Sequence, residues 1–580
     1  MVCGRAARHC NLADRSCCVP GGPGPERHAQ SEVEASVTQP LLEIEGLNVR
    51  LPDWADRAFA IKDLSLTINR NEIVCLVGES GSGKSLTGTA VMGLLPPSIK
   101  VESGRAVFDG MDLLKQTPET IRRLRGSRIA MVFQEPMTAL NPVRTIGDQI
   151  GEMFRSHVKL SRREIRQRCL ALLEEVRIPD PQRVINAYPH QMSGGQRQRA
   201  MIAMALALEP DLLIADEPTT ALDVTTQKQI ISLMQEIQRR KGMSILFITH
   251  DLGVVADIAH RVAVMQGGVL VETGTVQEVL DNPSQDYTKR LLAAVPSIDP
   301  PPKRQRNEAE VLSVNAVSKT YSSRGWFGRP TRTTYAVSDV SFSLAKNSTL
   351  GIVGESGSGK STLARCIVGL LKPELGQMQL DGQSLLGMNR RQARENARRV
   401  QMVFQDPFAS LNPRRKAGEL VMQGLLVHGT PRPEARRRAE EMFTMVGLDP
   451  ASMDRYPHEF SGGQRQRIGL ARALTLGPEL LVADEPVSAL DVSVQAQVLD
   501  LLVSLRERLG LTMVFITHDL RIAAQLCDEI AVMKSGKIVE HGPAADVFAN
   551  PQHAYTRELM DAIPGHDWFL RKKRVSAPAT

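Results

Sequence analysis

Aromatic residues are scarce in this 580-residue chain: three Trp, six Tyr and fourteen Phe make up only 4% of it. Base-stacking platforms for single-stranded nucleic acid depend on such side chains, so that class is disfavoured. Charge of one sign is lacking too. Lys and Arg number 71 against 64 Asp and Glu, a balance of +7, far from the dense basic stripe of a nucleic-acid binder. Nucleic acid is not an expected partner. Long apolar runs are missing: the longest, residues 200–208, falls well short of the ~20 residues that cross a bilayer as a helix. No apolar stretch of signal-peptide length follows the N-terminal arginines, and the chain reads as cytoplasmic. Cysteine is sparse and unevenly placed. Cys3, Cys10, Cys17 and Cys18 lie in a Gly/Pro-rich opening without a CxxC pair, so residues 1–40 read as a disordered leader rather than a metal site. Cys75, Cys169, Cys366 and Cys527 stand singly in apolar context, as small core residues with no disulfide framework.

What is present is ordinary globular composition, 42% apolar and 23% charged, over a length that needs more than one domain. Internal repetition divides it. Gly78-Glu79-Ser80-Gly81-Ser82-Gly83-Lys84-Ser85 recurs letter for letter as Gly354-Glu355-Ser356-Gly357-Ser358-Gly359-Lys360-Ser361. Phe133-Gln134-Glu135-Pro136 recurs as Phe404-Gln405-Asp406-Pro407, and Ser193-Gly194-Gly195-Gln196 as Ser461-Gly462-Gly463-Gln464. Ala215-Asp216-Glu217-Pro218 and Ile248-Thr249-His250-Asp251 return at 483–486 and 516–519. Constant order at near-constant spacing means two homologous halves, read as 41–298 and 311–564. A Pro- and charge-rich linker, 299–310, joins them, and 565–580 is a basic tail whose Arg571-Lys572-Lys573-Arg574 end reads as solvated, with contact to anionic lipid as the alternative.

Each half reads as α/β. Ile73–Val77 and residues 350–353 are short apolar strands entering a Gly-rich turn. A helical pattern follows each, expected to run until Pro96-Pro97 and Pro373 stop it. Residues 212–215, 480–483, 245–249 and 514–517 are further buried strands. Strands alternating with helices imply a mainly parallel sheet with sites at the carboxyl ends of its strands.

The repeated octapeptide satisfies the phosphate-cradle pattern G-x-x-x-x-G-K-S in its strand–loop–helix context. Its glycines let backbone N–H groups turn around an anion, and the helix N-terminus adds partial positive charge. Gly78, Ser80, Gly81, Gly83, Lys84, Ser85 and Leu86, with Gly354, Ser356, Gly357, Gly359, Lys360, Ser361 and Thr362, are the candidate nucleotide contacts. Ser85 and Ser361 are candidate Mg²⁺ ligands. One such loop could arise by chance in a Gly-rich turn; two identical copies remove that reading. Strands ending in Asp216-Glu217 and Asp484-Glu485 supply the complementary acids, the first to hold Mg²⁺ and the second as general base.

This combination resembles the ATP-binding-cassette ATPases: Ser-Gly-Gly-Gln followed by Arg-Gln-Arg, well downstream of the phosphate loop, sets them apart from other phosphate-loop enzymes. The resemblance implies two tandem cassettes, each with a parallel-sheet core, an antiparallel β subdomain and a helical subdomain. It implies ATP and Mg²⁺ as cofactors. Gln134 and Gln405 match the glutamine that senses Mg²⁺ and the membrane partner. His250 and His518 match the histidine that positions the γ-phosphate, and Ala221-Leu222-Asp223 and Ala489-Leu490-Asp491 match the loop bridging the two sites. Ser193, Gly194, Gly195 and Gln196, with Ser461, Gly462, Gly463 and Gln464, match the signature that meets the nucleotide of the opposite cassette. Adenine stacking matches Tyr321 in the second half. Its counterpart in the first is Leu51, with Trp54 or Phe59 as substitutes.

A closer resemblance is to the peptide/nickel importer ATPases in their fused double-cassette form. It rests on residues 134–142 and 405–413, on Tyr188-Pro189-His190 and Tyr456-Pro457-His458, and on the tails around Tyr287-Thr288 and Tyr555-Thr556. The resemblance implies a peripheral ATPase at the cytoplasmic face of the inner membrane. Its partners would be two permease subunits, docked on the helical inserts near 135–192 and 406–460, and a solute-binding protein. The substrate would be a di- or oligopeptide or glutathione, with nickel or another small solute as the alternative. Two other classes fit a cassette pair without membrane segments: a ribosome-acting double cassette, against which the short proline-rich linker argues, and a DNA-repair ATPase, which would need long insertions with zinc-ligand cysteines that these halves lack.

Overall fold

Strand Ile73–Val77 is buried at all five positions, as expected of a parallel strand covered on both faces. In the computed structural model it lies inside a six-stranded sheet. The order is Val269–Thr275, Arg261–Gln266, Ile73–Val77, Ser244–Ile248, Leu212–Asp216 and Ile129–Val132. All pairs are parallel except the edge formed by the first two. Described residues are 40–220, 222–298, 300, 309–324, 330–488 and 490–576. The leader cysteines, most of the linker, and Ala221 and Ala489 lie outside them.

The two-residue period of a strand sorts its side chains into two cores. Ile73, Cys75 and Val77, with Leu213, Ala215, Ile245 and Phe247, face one. That core is closed by helices Ile146–His157, Arg162–Glu175 and Gly194–Ala205, which contribute Phe154, Leu173 and Ile202. Val74, Leu76, Ile214 and Leu246 face the other. It is shared with an antiparallel sheet ordered Phe59–Asn69, Pro40–Arg50, Lys100–Phe108 and Met111–Asp112. The second half repeats the plan with Val400–Val403, Leu480–Asp484, Thr512–Thr517, Thr349–Val353, Glu529–Lys534 and Lys537–Pro543.

One sequence expectation is corrected. The helices after the phosphate loops stop at Val91 and Ile367, before the prolines reach them. Gly93 adopts φ +64° and its N–H donates to Ala90 O while Leu94 N donates to Thr89 O. Gly369 and Leu370 repeat the pattern. This closure uses a left-handed residue that glycine adopts without strain, and it ends the helix ahead of the prolines.

Arg571 and Lys572 of the basic end are exposed, but the residues just before them are anchored. Helix His566–Ser576 belongs in sequence to the second half, yet Trp568 is 3% exposed within the core of the first. Its indole N–H donates to Asp281 Oδ1 at 2.9 Å, and Gly565 N donates to Asp257 Oδ2 at 2.9 Å. Packing also crosses the other way: Val224 lies in the core of the second half and Ile298 packs against it. Trp568→Ala should therefore destabilise the first half by about 3–5 kcal/mol. Amide hydrogen exchange across Val276–Asp281 checks it, with faster exchange expected there than in the sheet of the second half.

Candidate functional site

Four adjacent parallel strands end at one sheet edge, so their loops converge residues far apart in sequence. Ile73–Val77 leads into the phosphate loop and Ile129–Val132 to Gln134. Leu212–Asp216 hands over to Glu217, and Ser244–Ile248 leads to His250. Gly83 turns at φ +102°, where a Cβ would sit 2.7 Å from Ala60 O, so the tight loop excludes any side chain. Lys84 Nζ donates to the carbonyls of Gly78 and Glu79 at 2.7 and 2.8 Å. Lys360 Nζ binds Gly354 and Glu355 at 2.8 Å each. Burial lowers both lysine pKa values, which raises the gain from an incoming anion. Gly83 and Gly359 offer no side-chain cap to the helices that follow, whose first N–H groups remain available to a phosphate.

Ser85 Oγ donates to Asp216 Oδ1 at 2.8 Å and Ser361 Oγ to Asp484 Oδ1 at 3.0 Å. Such oxygen-only donors suit a hard divalent cation. Among the described residues no group of three or more His, Cys, Asp or Glu could hold a metal. An ion here would therefore draw the rest of its shell from phosphate and water, the usual Mg²⁺ pattern. Burial, opposed by the Ser85 hydrogen bond, raises Asp216 to about 6; burial raises Asp484 likewise.

Glu217 and Glu485 sit at φ +44° and +46°, a left-handed backbone that costs a non-glycine residue energy and clusters at functional sites. Gln134 Nε2 donates to Glu217 Oε2 at 2.8 Å, Thr220 Oγ1 donates to the same oxygen at 2.9 Å, and His250 Nδ1 lies 3.1 Å from Oε1. In the second half Gln405 Nε2 is 2.9 Å and His518 Nδ1 3.1 Å from the Glu485 carboxylate. Burial pushes Glu217 up, but the hydrogen bond and charge of His250, with Thr220 and Lys84, outweigh it and hold the carboxyl at about 2. Burial likewise works against His250 and His518, and the glutamates reverse it, raising both. The arrangement is an ionised carboxylate tied to imidazole and amide beside a pocket for anion and cation.

Ser193 and Ser461 cap their helices: each Oγ accepts from the Gln196 or Gln464 N–H at 3.3 Å, and each glutamine side chain returns the bond. The second glycines also have a packing reason. A Cβ on Gly195 would lie 2.7 Å from Thr226 Cγ2, and on Gly463 2.3 Å from Val494 Cγ1. A cavity of about 890 Å³ lies between the two halves. Ser80, Gly81, Gln134, Glu217 and His250 line it with Ser461, Gly462 and Gly463 of the other half; Gly194 lines it with Ser356, Glu485 and His518. Asp223 Oδ2 accepts from Ser356 N across the halves at 3.4 Å, and Thr225 Oγ1 lies 2.6 Å from Glu355 Oε1. Leu86 packs behind its loop and Thr362 is half-buried. Tyr321 is 44% exposed with Lys319 Nζ 5.9 Å from its ring. Leu51 packs against the β core, Phe59 is half-buried and Trp54 is 84% exposed.

Sequence reasoning missed two arginines. Arg57, in the loop after Pro40–Arg50, donates to Gly81 O of the phosphate loop. Arg521, almost buried, forks onto Asp251 of the other half at 3.2 Å twice and onto its own Asp519 at 2.9 Å. Each of those aspartates directly follows a site histidine. The first half has Gly253 at the matching place, where a Cβ would meet Pro564 O at 2.4 Å. Of these two loops only the second carries the arginine, and it stands where the repeats begin to diverge after Thr-His-Asp-Leu, so the sequence did not mark it.

Two phosphate loops, each with its own acid pair and facing the other's Ser-Gly-Gly helix, define a twin-site nucleoside triphosphatase. The ABC transporter family model matches residues 61–220 and 337–488, more than half of the chain, and the chain belongs to that family as an ATP-binding ATPase. A second model, the oligopeptide/dipeptide transporter C-terminal region, matches residues 271–331 and 539–578. The chain is 47% identical over 529 residues to the peptidoglycan transport ATP-binding protein YejF of Agrobacterium fabrum, covering 90% of this chain and 96% of that one. It is 44% identical over 566 residues to the glutathione import ATP-binding protein GsiA of Pectobacterium atrosepticum, covering 92% and 91%. A solved dimeric structure of MJ0796, a bacterial ABC transporter cassette, is 30% identical over 40% of this chain and 98% of that one, with a TM-score of 0.37.

Truncating Arg521 leaves Asp251 and Asp519 buried without their cation. Arg521→Ala should cost about 3–5 kcal/mol. Arg521→Lys should recover only part of that, because a point charge cannot reproduce the two-pronged contact. Denaturant unfolding of the full chain measures both.

Proposed function

We propose that this ATPase energises import of peptides, of the di-/oligopeptide or glutathione class, through permease chains separate from it. The observation that carries the reading is the oligopeptide/dipeptide transporter C-terminal match behind each of the two cassettes. The printed roles of the relatives, peptidoglycan transport and glutathione import, support it. Among the described residues no helix is long and apolar enough to cross a membrane. The proposal assigns translocation to two integral-membrane subunits seated on the helical inserts, and substrate capture to a solute-binding protein. It places the chain peripherally at the cytoplasmic face of the inner membrane. The cassettes are proposed as 41–298 and 311–564, with 299–310 between them.

The contacts above support the roles proposed for the lysine, serine, acid pair and histidine of each site. Lys84 and Lys360 leave the loop carbonyls for the terminal phosphates. Ser85 with Asp216 and Gln134, and Ser361 with Asp484 and Gln405, would hold Mg²⁺, which would supply charge neutralisation for the phosphates. Glu217 and Glu485 orient the attacking water and take its proton once His250 and His518 turn to the γ-phosphate. Losing the imidazolium partner restores basicity to a carboxylate otherwise held low. Ser461 and Gly463 close on the first nucleotide, Ser193 and Gly195 on the second. Tyr321 stacks the adenine of the second site.

Glu217→Gln with Glu485→Gln should hold the chain closed around two ATP with hydrolysis reduced at least a hundredfold; undiminished turnover would remove both glutamates from the chemistry. Purification under mild detergent should recover two permease chains, and ATP turnover of that complex should rise when peptide-loaded binding protein is added. Recovery on ribosomes without a permease would overturn the import reading.

A further inference from the structure

Behind each edge hairpin lies a short helix, Asp286–Ala293 and Ala554–Asp561, in the tail residues that the ATP site leaves unused. The second residue of each is a buried tyrosine: Tyr287 is 8% exposed and Tyr555 2%. Each phenol reaches the phosphate loop of its own cassette. Glu79 N donates to Tyr287 Oη at 3.3 Å, and Glu355 N donates to Tyr555 Oη at 3.2 Å. The same geometry therefore arises twice from separately encoded residues.

The peptide that receives this contact is already engaged on its other side. Its carbonyl is that of Gly78 or Gly354, which accepts from Lys84 or Lys360. When the lysine moves to phosphate, the phenol is the side-chain partner that stays with this peptide. The tail helices are fixed where they begin. Ser284 and Gln285 N–H groups donate to Glu272 at 2.7 and 3.3 Å, and Gln552 and His553 N–H groups to Glu540 at 2.8 and 3.1 Å. The second helix also meets the other cassette: Asp561 O accepts from Lys228 Nζ at 2.6 Å. Lys228 lies on helix Val224–Lys241, directly after the Asp223 that takes the Ser356 N–H.

We propose that Tyr287 and Tyr555 are positioning residues for the phosphate loops, and that the tail of each cassette thereby sets how tightly its own site holds ATP. The proposal rests on the ATPase activity of the family and not on the import reading.

The test uses the full chain with Tyr287→Phe, Tyr555→Phe and both together. Phenylalanine removes one oxygen and keeps the buried ring, including the Lys534 contact 4.1 Å from the Tyr555 ring. A hydrogen bond of ordinary strength corresponds to a two- to tenfold change in an equilibrium constant. The double variant should raise the Kd and the KM for ATP by up to that factor, with kcat within twofold and unfolding still cooperative at a modestly lower midpoint. Exchange of the Glu79 and Glu355 amides should quicken. Unchanged Kd and unchanged amide exchange would overturn the proposal, as would a fall in kcat at constant KM. Equilibrium ATP binding and amide exchange need no turnover. An unsubstituted chain that failed to hydrolyse ATP would count against the ATPase assignment while these two readouts still decided the role of the tyrosines.

Discussion

A sheet covered on both faces has room for polar chemistry only at its ends. Ile73–Val77, Leu212–Asp216 and Ser244–Ile248 are buried at every position, so unpaired charge within them would cost several kcal/mol. The strands are parallel and adjacent, and their carboxyl ends therefore open on the same side. Lys84, Asp216, Glu217 and His250 meet there because of this one constraint, although they span much of the first cassette. The strained backbone of Glu217 and Glu485 follows from it too. The chain must leave the buried strand and turn its next side chain at once toward the Gln134 and His250, or Gln405 and His518, ends of the neighbouring strands.

The halves hold each other by crossings rather than by a flat seam. Trp568 of one lies in the core of the other, and Val224 crosses in the opposite direction. Buried aromatic and aliphatic anchors of this kind carry most of the energy of an interface. Asp223 and Thr225 reach the opposite phosphate loop, so the floor of one ATP site is built partly by the other cassette. Joining both cassettes in one chain makes that contact intramolecular, with an effective concentration set by the linker rather than by expression.

The sheet cores, phosphate loops, acid pairs and site histidines were legible because each is local. A five-residue apolar run, a Gly-rich octapeptide or Asp216-Glu217 is complete within a few positions, and its recurrence removes coincidence. What was not legible pairs residues that only the folded chain brings together. Trp568 looks like part of a basic end until Asp281 and the first core are beside it. Gly195 and Gly463 carry a steric demand set by Thr226 and Val494 as well as their place in the signature. The helices after the phosphate loops ended early because Gly93 and Gly369 closed them through hydrogen bonds, a competitor that the more conspicuous prolines concealed.

The chemistry is written twice, but the ties between the halves are not. Asp251, beside His250, is gripped by an arginine from the opposite cassette; Asp519, beside His518, is gripped by the same arginine from its own. The steric demand at Gly253 forbids a second arginine in the reciprocal place. Lys534 stacks over Tyr555, while the repeat-equivalent residue of the first half is Gln266, which carries no charge. A motion of the Asp251 loop must therefore break or carry a contact to the other cassette. The same motion at Asp519 strains that contact from inside. Any coupling between the sites is a free energy shared by both, and the Arg521–Asp251 contact is a physical tie through which it would act. The residues that line the two sites repeat, but the contacts that tie each site to its surroundings differ.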